Sequence, residues 1–331
     1  MSKKLSLCIV GLGRAGRFHL HSIKQLPDVE LAYVVDPAVS DQEEALEGLD
    51  CRILTDIYEA LDDPKLDGVI VSSPTRYHYD YIIKSLSAGK HVFTEKPLGK
   101  SIEQIAHCYD LAEEKERCLY LGFQRRYDHN FQTLKEKISQ IGSVRLIKAS
   151  SRDNPKPSID YLRISGNIFH DMLIHDFDML LYLLDGKKPE SIFAYGHAYD
   201  PEIKAIPDFD TVMVSLKYAD GLICNVDTSR IAAYGYDQRI ELFGEKGMVV
   251  ADNQRNSSVQ LHTATGMQLD AINYSFPQRY KDSYLLEIAD FTKGILTGKK
   301  QNVSKEECLL GHSMADAAHA SAMTNQVISL S

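Results

Sequence analysis

Leu5-Ser6-Leu7-Cys8-Ile9-Val10-Gly11-Leu12-Gly13-Arg14-Ala15-Gly16 joins a short apolar run to a glycine hexapeptide, and a helical pattern then reaches about Leu26 before Pro27. A short apolar run of this kind reads as a strand. Glycines at positions 11, 13 and 16 allow a tight turn, close backbone approach to a pyrophosphate, and close helix packing. The phosphates would sit on the amides of a helix N-terminus. A second strand, Val29–Val35, ends at Asp36, twenty residues after Gly16. A carboxylate there can take the adenosine ribose hydroxyls. Gly11, Gly13, Arg14, Ala15, Gly16 and Asp36 are therefore the expected dinucleotide residues. Asp36 would repel a 2′-phosphate and Pro37-Ala38-Val39 offers no basic residue, so NAD is expected over NADP. Arg14 is the residue that would serve NADP instead. Without Asp36, the hexapeptide alone would also fit a purely structural glycine turn.

Working outward, strand and helix signals alternate up to Phe123. Further strands are expected at Gly68–Val71, His91–Thr94 and Leu119–Gly122, with helices at Tyr77–Ala88 and Ile102–Glu114. Such alternation implies a doubly wound, mainly parallel α/β sheet of the Rossmann type. Ligands bind such sheets at the carboxyl ends of the strands. Ser72, Ser73 and Pro74 end one strand there, and Glu95, Lys96 and Pro97 end another. His78 lies among Tyr77, Tyr79 and Tyr81 at the same edge.

After Phe123 the rhythm changes. Strand signals dominate from about Ser191 to His262, with turn residues at Ala219-Asp220-Gly221 and Gly244-Glu245-Lys246-Gly247. Helices return near Tyr284–Leu296 and Lys305–Val327. The expected organisation is a nucleotide-binding domain over 1–123 and an α+β domain over 124–331 with a large mixed or antiparallel sheet.

Hydrophobic residues make up 44% and charged residues 25% of the chain, the composition of a globular protein. A net charge of −9 argues against a nucleic-acid or anionic-membrane surface. The six cysteines form no C-x-x-C pair and read as buried thiols of a reducing compartment. Met1–Leu5 runs directly into a strand with no apolar leader, so a cytoplasmic location is expected.

Gly166–Leu180 reads as a helix that carries Asp171, His175 and Asp178 at i, i+4 and i+7, on one face. A carboxylate beside an imidazole prepares a proton acceptor near neutral pH. Two other readings stay open on these residues alone: a surface Asp–His contact, and a metal site, since both are ligand types. No metal is expected. His170 would point elsewhere on the helix, and Asp178 reads as a supporting carboxylate.

Three stretches together, Gly11–Gly16, Thr94-Glu95-Lys96-Pro97-Leu98 and Gly166–Asp178, resemble the Gfo/Idh/MocA family of sugar and polyol oxidoreductases over essentially the whole length. Gly122–Asp128, Ile174–Asp178 and Tyr234-Gly235-Tyr236-Asp237 are most similar to the inositol 2-dehydrogenase branch. That resemblance implies a catalytic Lys96, Asp171 and His175. It places Arg125 and Tyr236 at positions that contact cofactor or substrate, and Asn154 in the substrate loop. Asn167 departs from a second glycine common in that branch. The implied reaction is NAD-dependent oxidation of a secondary hydroxyl of myo-inositol or a related polyol to an inosose. A sugar dehydrogenase or reductase is the alternative, and a non-catalytic NAD sensor a more distant one. Members are commonly homodimers or homotetramers, and a tetramer is expected here.

Overall fold

The computed structural model describes residues 4–40 and 43–330. They form two compact units, within Met1–Tyr127 plus Asp282–Leu309 and within Asp128–Lys281 plus Leu310–Ser331.

The first unit is built on six parallel strands: β1 (Leu5–Val10), β2 (Val29–Val35), β3 (Arg52–Leu54), β4 (Gly68–Val71), β5 (His91–Glu95) and β6 (Leu119–Gly122). Their spatial order is β3-β2-β1-β4-β5-β6, the doubly wound Rossmann arrangement. All six residues of β1 are buried, which is why its residues are apolar on both faces apart from Ser6. From β1 the chain moves outward to β2 and β3, then returns to β4 and proceeds the other way. The carboxyl ends of β1 and β4 therefore flank the point where strand order reverses, where a ligand crevice forms. Sequence periodicity missed β3, whose three residues are too few to display a period.

The first unit is not contiguous. The sequence reading ran the second domain unbroken from 124 to 331, whereas Asp282–Leu309 belongs with the parallel sheet. Ile288 and Phe291, on the helix Lys281–Thr297, are fully buried in the core of Leu7, Ile9, Phe93 and Tyr120. The Phe291 ring lies 5.5 Å from that of Tyr120 and 5.9 Å from that of Phe93. Gly294 is required at this contact, because a Cβ would stand 2.4 Å from the Tyr120 hydroxyl.

The second unit holds a mixed sheet of β7 (Val144–Arg152), β8 (Ser191–His197), β9 (Thr211–Lys217), β10 (Ile223–Ser229), β11 (Asp237–Gly244), β12 (Met248–Ala251) and β15 (Ile328–Ser329). The order is β12-β11-β7-β10-β9-β8-β15, with only the β7–β10 pair parallel. In β9, buried Val212, Val214 and Leu216 alternate with exposed Met213, Ser215 and Lys217, so one face of the sheet is covered and the other is not. An exposed hairpin, β13 (Gln260–Thr263) and β14 (Gly266–Leu269), escaped the sequence reading.

The expected single helix over Gly166–Leu180 is instead a π-helical turn, Phe169–Leu173, that leads into an α-helix, Ile174–Leu183. A π-turn widens the local repeat. Asp171, His175 and Asp178 would share one face only on an uninterrupted α-helix, and the π-turn includes Asp171. Among the described residues, no helix is long and apolar enough to cross a membrane.

Candidate active site

The glycine turn after β1 meets the loop after β4. Gly11 has φ +91°, and a Cβ there would lie 2.6 Å from the Ser73 Cα. A Cβ on Gly16 would lie 2.0 Å from the Gly11 carbonyl oxygen. Ser72 Oγ donates to that same carbonyl at 2.7 Å. Gly13 differs, since its Cβ would meet nothing within 4 Å. Space is thus kept open at Gly13 while Gly11 and Gly16 are consumed by backbone packing. The helix Arg14–Ile23 begins there with no side-chain cap, and a helix start of that kind can receive an anion. Asp36 closes the far side of the turn: its Oδ2 accepts from the Leu12 amide at 2.8 Å and its Oδ1 from the Ala38 amide at 2.9 Å. An open glycine cradle, an uncapped helix start and a carboxylate at the end of β2 are the donor set a dinucleotide needs.

The next two strand ends are joined by His78. Its buried ring lies 2.7 Å from the Ser73 carbonyl oxygen through Nε2 and 2.8 Å from the Pro97 carbonyl oxygen through Nδ1. Lys96 precedes Pro97 through a cis bond and is half-buried. Beneath it, Glu95 Oε1 contacts His19 Nε2 at 2.8 Å. Burial opposes the Glu95 charge, but the His19 hydrogen bond and the charges of His19, Lys96 and His78 outweigh it and hold the carboxyl below its usual range. Glu287 lies close by with no exposed surface and no hydrogen-bond partner for either carboxylate oxygen. Burial first, then the Glu95 charge, pushes its carboxyl well above the usual range. The two acids therefore divide their roles, Glu95 ionised and Glu287 neutral. Arg125 is buried in the turn Gln124–Tyr127 that follows β6. That turn is held by Arg126 donating to Glu307 at 3.1 Å and by the Tyr127 hydroxyl donating to Asp290 at 2.9 Å.

In the second unit, both oxygens of buried Asp171 have strong donors. The Tyr161 hydroxyl donates to Oδ1 at 2.8 Å, and Arg230 Nη1 donates to Oδ2 at 2.9 Å. Arg230 has no exposed surface, and its Nη2 donates to Asp208 Oδ2 at 2.8 Å. Burial disfavours the guanidinium charge, but the two carboxylates outweigh it and keep Arg230 firmly protonated. Asp208 Oδ1 in turn accepts from the amide of Ile168 at 2.8 Å, at the entrance of the π-turn. His175 follows on the helix Ile174–Leu183, half-buried. Asn154 donates from Nδ2 to the Tyr274 carbonyl at 2.9 Å. Tyr236 is buried, its ring 5.9 Å from that of Tyr280 in an edge-on contact.

Gly11, Gly13, Arg14, Ala15, Gly16, Asp36, Ser72, Ser73, Pro74, His78, Glu95, Lys96 and Arg125 all belong to the first unit. Asn154, Asp171, His175 and Tyr236 belong to the second. Sequence reasoning missed Tyr161, Asp208 and Arg230 around Asp171, and His19 and Glu287 around Glu95. These contacts come from distant segments, and none lies in a recognisable motif.

Two family models match this chain. Residues 5–123 match the oxidoreductase family with an NAD-binding Rossmann fold, and residues 131–250 match the GFO/IDH/MocA C-terminal domain. The chain belongs to the Gfo/Idh/MocA oxidoreductase family. Among relatives of this Gfo/Idh/MocA protein, the myo-inositol 2-dehydrogenase of Thermotoga maritima is 39% identical over 90% of each chain. The inositol 2-dehydrogenase of Rhizobium meliloti is 36% identical over 97% of this chain and 98% of its own. The scyllo-inositol dehydrogenase of Lactobacillus casei, solved with NAD(H) and scyllo-inositol, superposes with a TM-score of 0.90 at 27% identity, covering 99% of each chain.

Proposed function

We propose that this oxidoreductase oxidises a secondary alcohol of a cyclic polyol, the hydroxyl losing its proton and its carbon losing hydride, with NAD as acceptor, myo-inositol as substrate and an inosose as product. The observation that carries this reading is the Asp171 carboxylate. It is buried, ionically held by Arg230, and set four residues before His175 in a chain similar to myo-inositol 2-dehydrogenases along nearly its full length.

In this proposal His175 accepts the hydroxyl proton. Asp171 stabilises the protonated imidazole, and Tyr161 and Arg230 keep the carboxylate oriented and charged. Lys96 donates a hydrogen bond to the reacting oxygen as negative charge develops on it. When bound, nicotinamide supplies the hydride-accepting chemistry. Gly11, Gly13, Ala15 and Gly16 receive the pyrophosphate, Asp36 the ribose, and Ser72, Ser73, Pro74, His78, Glu95 and Arg125 line the cofactor edge. Arg125, Asn154 and Tyr236 are the further polar residues assigned to the hydroxyls of the ring in this proposal. NAD is favoured over NADP because the Asp36 charge would repel a 2′-phosphate.

A homo-oligomer, with the tetramer preferred, belongs to the same proposal. The uncovered face of the second sheet exposes Tyr195, Met213, Ile223, Phe243, Met248 and Val250, an apolar surface of the kind subunits bury.

The test is NADH absorbance after mixing the protein with NAD and a panel of myo-inositol, scyllo-inositol and aldoses. Turnover on myo-inositol should fall by about 10²–10⁴-fold in His175→Ala with NAD binding intact. Turnover on an aldose alone would move the assignment to a sugar dehydrogenase of the same family. Activity unaffected by His175→Ala would refute the assigned base.

A further inference from the structure

His170, one residue before Asp171, faces a second set of ligand-type side chains. His312 and Asp316 lie on the helix Lys305–Thr324, four residues apart and therefore stacked one turn above the other. His170 Nε2 stands 2.9 Å from Asp316 Oδ1, and His312 Nε2 stands 3.7 Å from Asp316 Oδ2. The two imidazole rings are 5.1 Å apart. One ligand atom from each of the three residues falls within 4.8 Å of the other two.

The orientation of His170 is set from behind. Asn167 Oδ1 accepts the amides of Phe169 at 3.1 Å and His170 at 3.2 Å, which identifies that atom as the amide oxygen. The same oxygen lies 2.9 Å from His170 Nδ1, so Nδ1 carries the ring proton and donates to it. In the neutral ring Nε2 is then a lone pair, and it faces an anionic carboxylate. Two electron-rich atoms at that separation require a cation between them, either a proton or a metal ion. A histidine whose far nitrogen is fixed by a hydrogen bond is the usual arrangement at protein metal sites.

We propose that His170, His312 and Asp316 bind a divalent transition-metal ion, with Zn²⁺ as its best fit. Two imidazoles and one carboxylate are borderline-soft ligands that suit Zn²⁺ and not Mg²⁺ or Ca²⁺. A tetrahedron with ligands at 2.0–2.1 Å has edges of about 3.3–3.4 Å. His170 Nε2 is 2.9 Å from Oδ1 and His312 Nε2 is 3.7 Å from Oδ2 of Asp316, and one ligand atom from each residue lies within 4.8 Å of the others, so the three side chains need only draw together onto one ion. The Asp316 side chain is 56% exposed, which leaves an entry path and room for water as a further ligand. An occupied site would fasten the helix Lys305–Thr324 to the π-turn that holds Asp171. The metal is structural in this proposal, which stands independently of the assigned dehydrogenase reaction.

The experiment is calorimetric titration of Zn²⁺ into the chelator-treated full chain, with Mg²⁺ as control, followed by thermal unfolding. One equivalent should bind with a Kd of about 1 μM or tighter, and Tm should rise by at least about 2 °C. Asp316→Asn removes only an exposed charge and His312→Ala removes a ligand. Each should weaken Zn²⁺ binding by about 10-fold or more while the circular dichroism spectrum is unchanged. Absence of stoichiometric Zn²⁺ binding, or equal affinity in wild type, Asp316→Asn and His312→Ala, would overturn the site and leave a proton as the bridging cation.

Discussion

Arg230 donates to Asp171 and Asp208 at once, at 2.9 and 2.8 Å, from a side chain with no exposed surface. One cation serves two buried carboxylates, so its removal takes the counter-charge from both. Arg230→Met is expected to cost about 3–5 kcal/mol in denaturant unfolding, the penalty for breaking a buried ion pair from one side. Tyr161→Phe removes a single hydrogen bond to Asp171 and should cost only about 1 kcal/mol. If Asp171 works with His175, Tyr161→Phe should still lower kcat while the fold persists. An unchanged kcat in that variant would show that the Tyr161 hydrogen bond does not position Asp171 for the reaction.

Gly13 and Gly16 should respond oppositely to alanine. A Cβ at Gly16 collides with the Gly11 carbonyl at 2.0 Å, whereas one at Gly13 has free space. Gly16→Ala should lower Tm and weaken NAD binding together. Gly13→Ala should leave Tm near wild type and raise the Kd for NAD, because the space it fills is the cofactor's. Thermal melts beside NAD titrations distinguish the two. Undiminished NAD affinity in Gly13→Ala would place the pyrophosphate elsewhere.

Asp36 holds the glycine turn through the Leu12 amide, so its charge and its acceptor role are separable. Asp36→Asn keeps an acceptor and removes the charge. Repulsion between two charges 4 Å apart is worth about 1–4 kcal/mol near a protein surface. The variant should therefore shift the NAD-to-NADP preference by about tenfold or more toward NADP, measured as the ratio of kcat/KM values. An unaltered ratio would mean that Asp36 does not select the cofactor.

His91 supplies a pH dependence of stability. Burial, assisted by the Arg117 charge, pushes its pKa from 6.5 down to about 4, and its Nδ1 accepts the Cys118 amide at 3.0 Å. The unfolded chain therefore binds a proton near pH 6.5 that the folded chain refuses until about pH 4. Stability is expected to fall as pH drops through that window. His91→Asn retains an acceptor without titrating, and its urea midpoint should decline less steeply between those limits. Parallel curves would show that His91 does not contribute.

Much of the first unit was legible because its signals are local. An apolar run, three glycines and a carboxylate twenty residues on specify strand, turn, helix and strand within one continuous stretch. Strands β1, β2, β4 and β6 fall where their hydrophobic runs lie. The helix Lys281–Thr297 was misplaced for the opposite reason. An amphipathic helix states which face it will bury but not against which sheet. Only the rings of Phe93 and Tyr120 closing on Phe291 decide that.

The amino-acid order by itself determined the nucleotide-binding architecture, the mixed second sheet and the segment that carries Asp171 and His175, since each is written in spacing and side-chain period. Only the tertiary structure decided what surrounds those residues. The π-turn replaced a regular helix at Asp171, Arg230 arrived from β10's end to hold its charge, and Glu287 joined Glu95 from a distant helix. A buried charge or a neutral acid exists only where chain segments far apart in sequence exclude water together, and no local pattern encodes that exclusion.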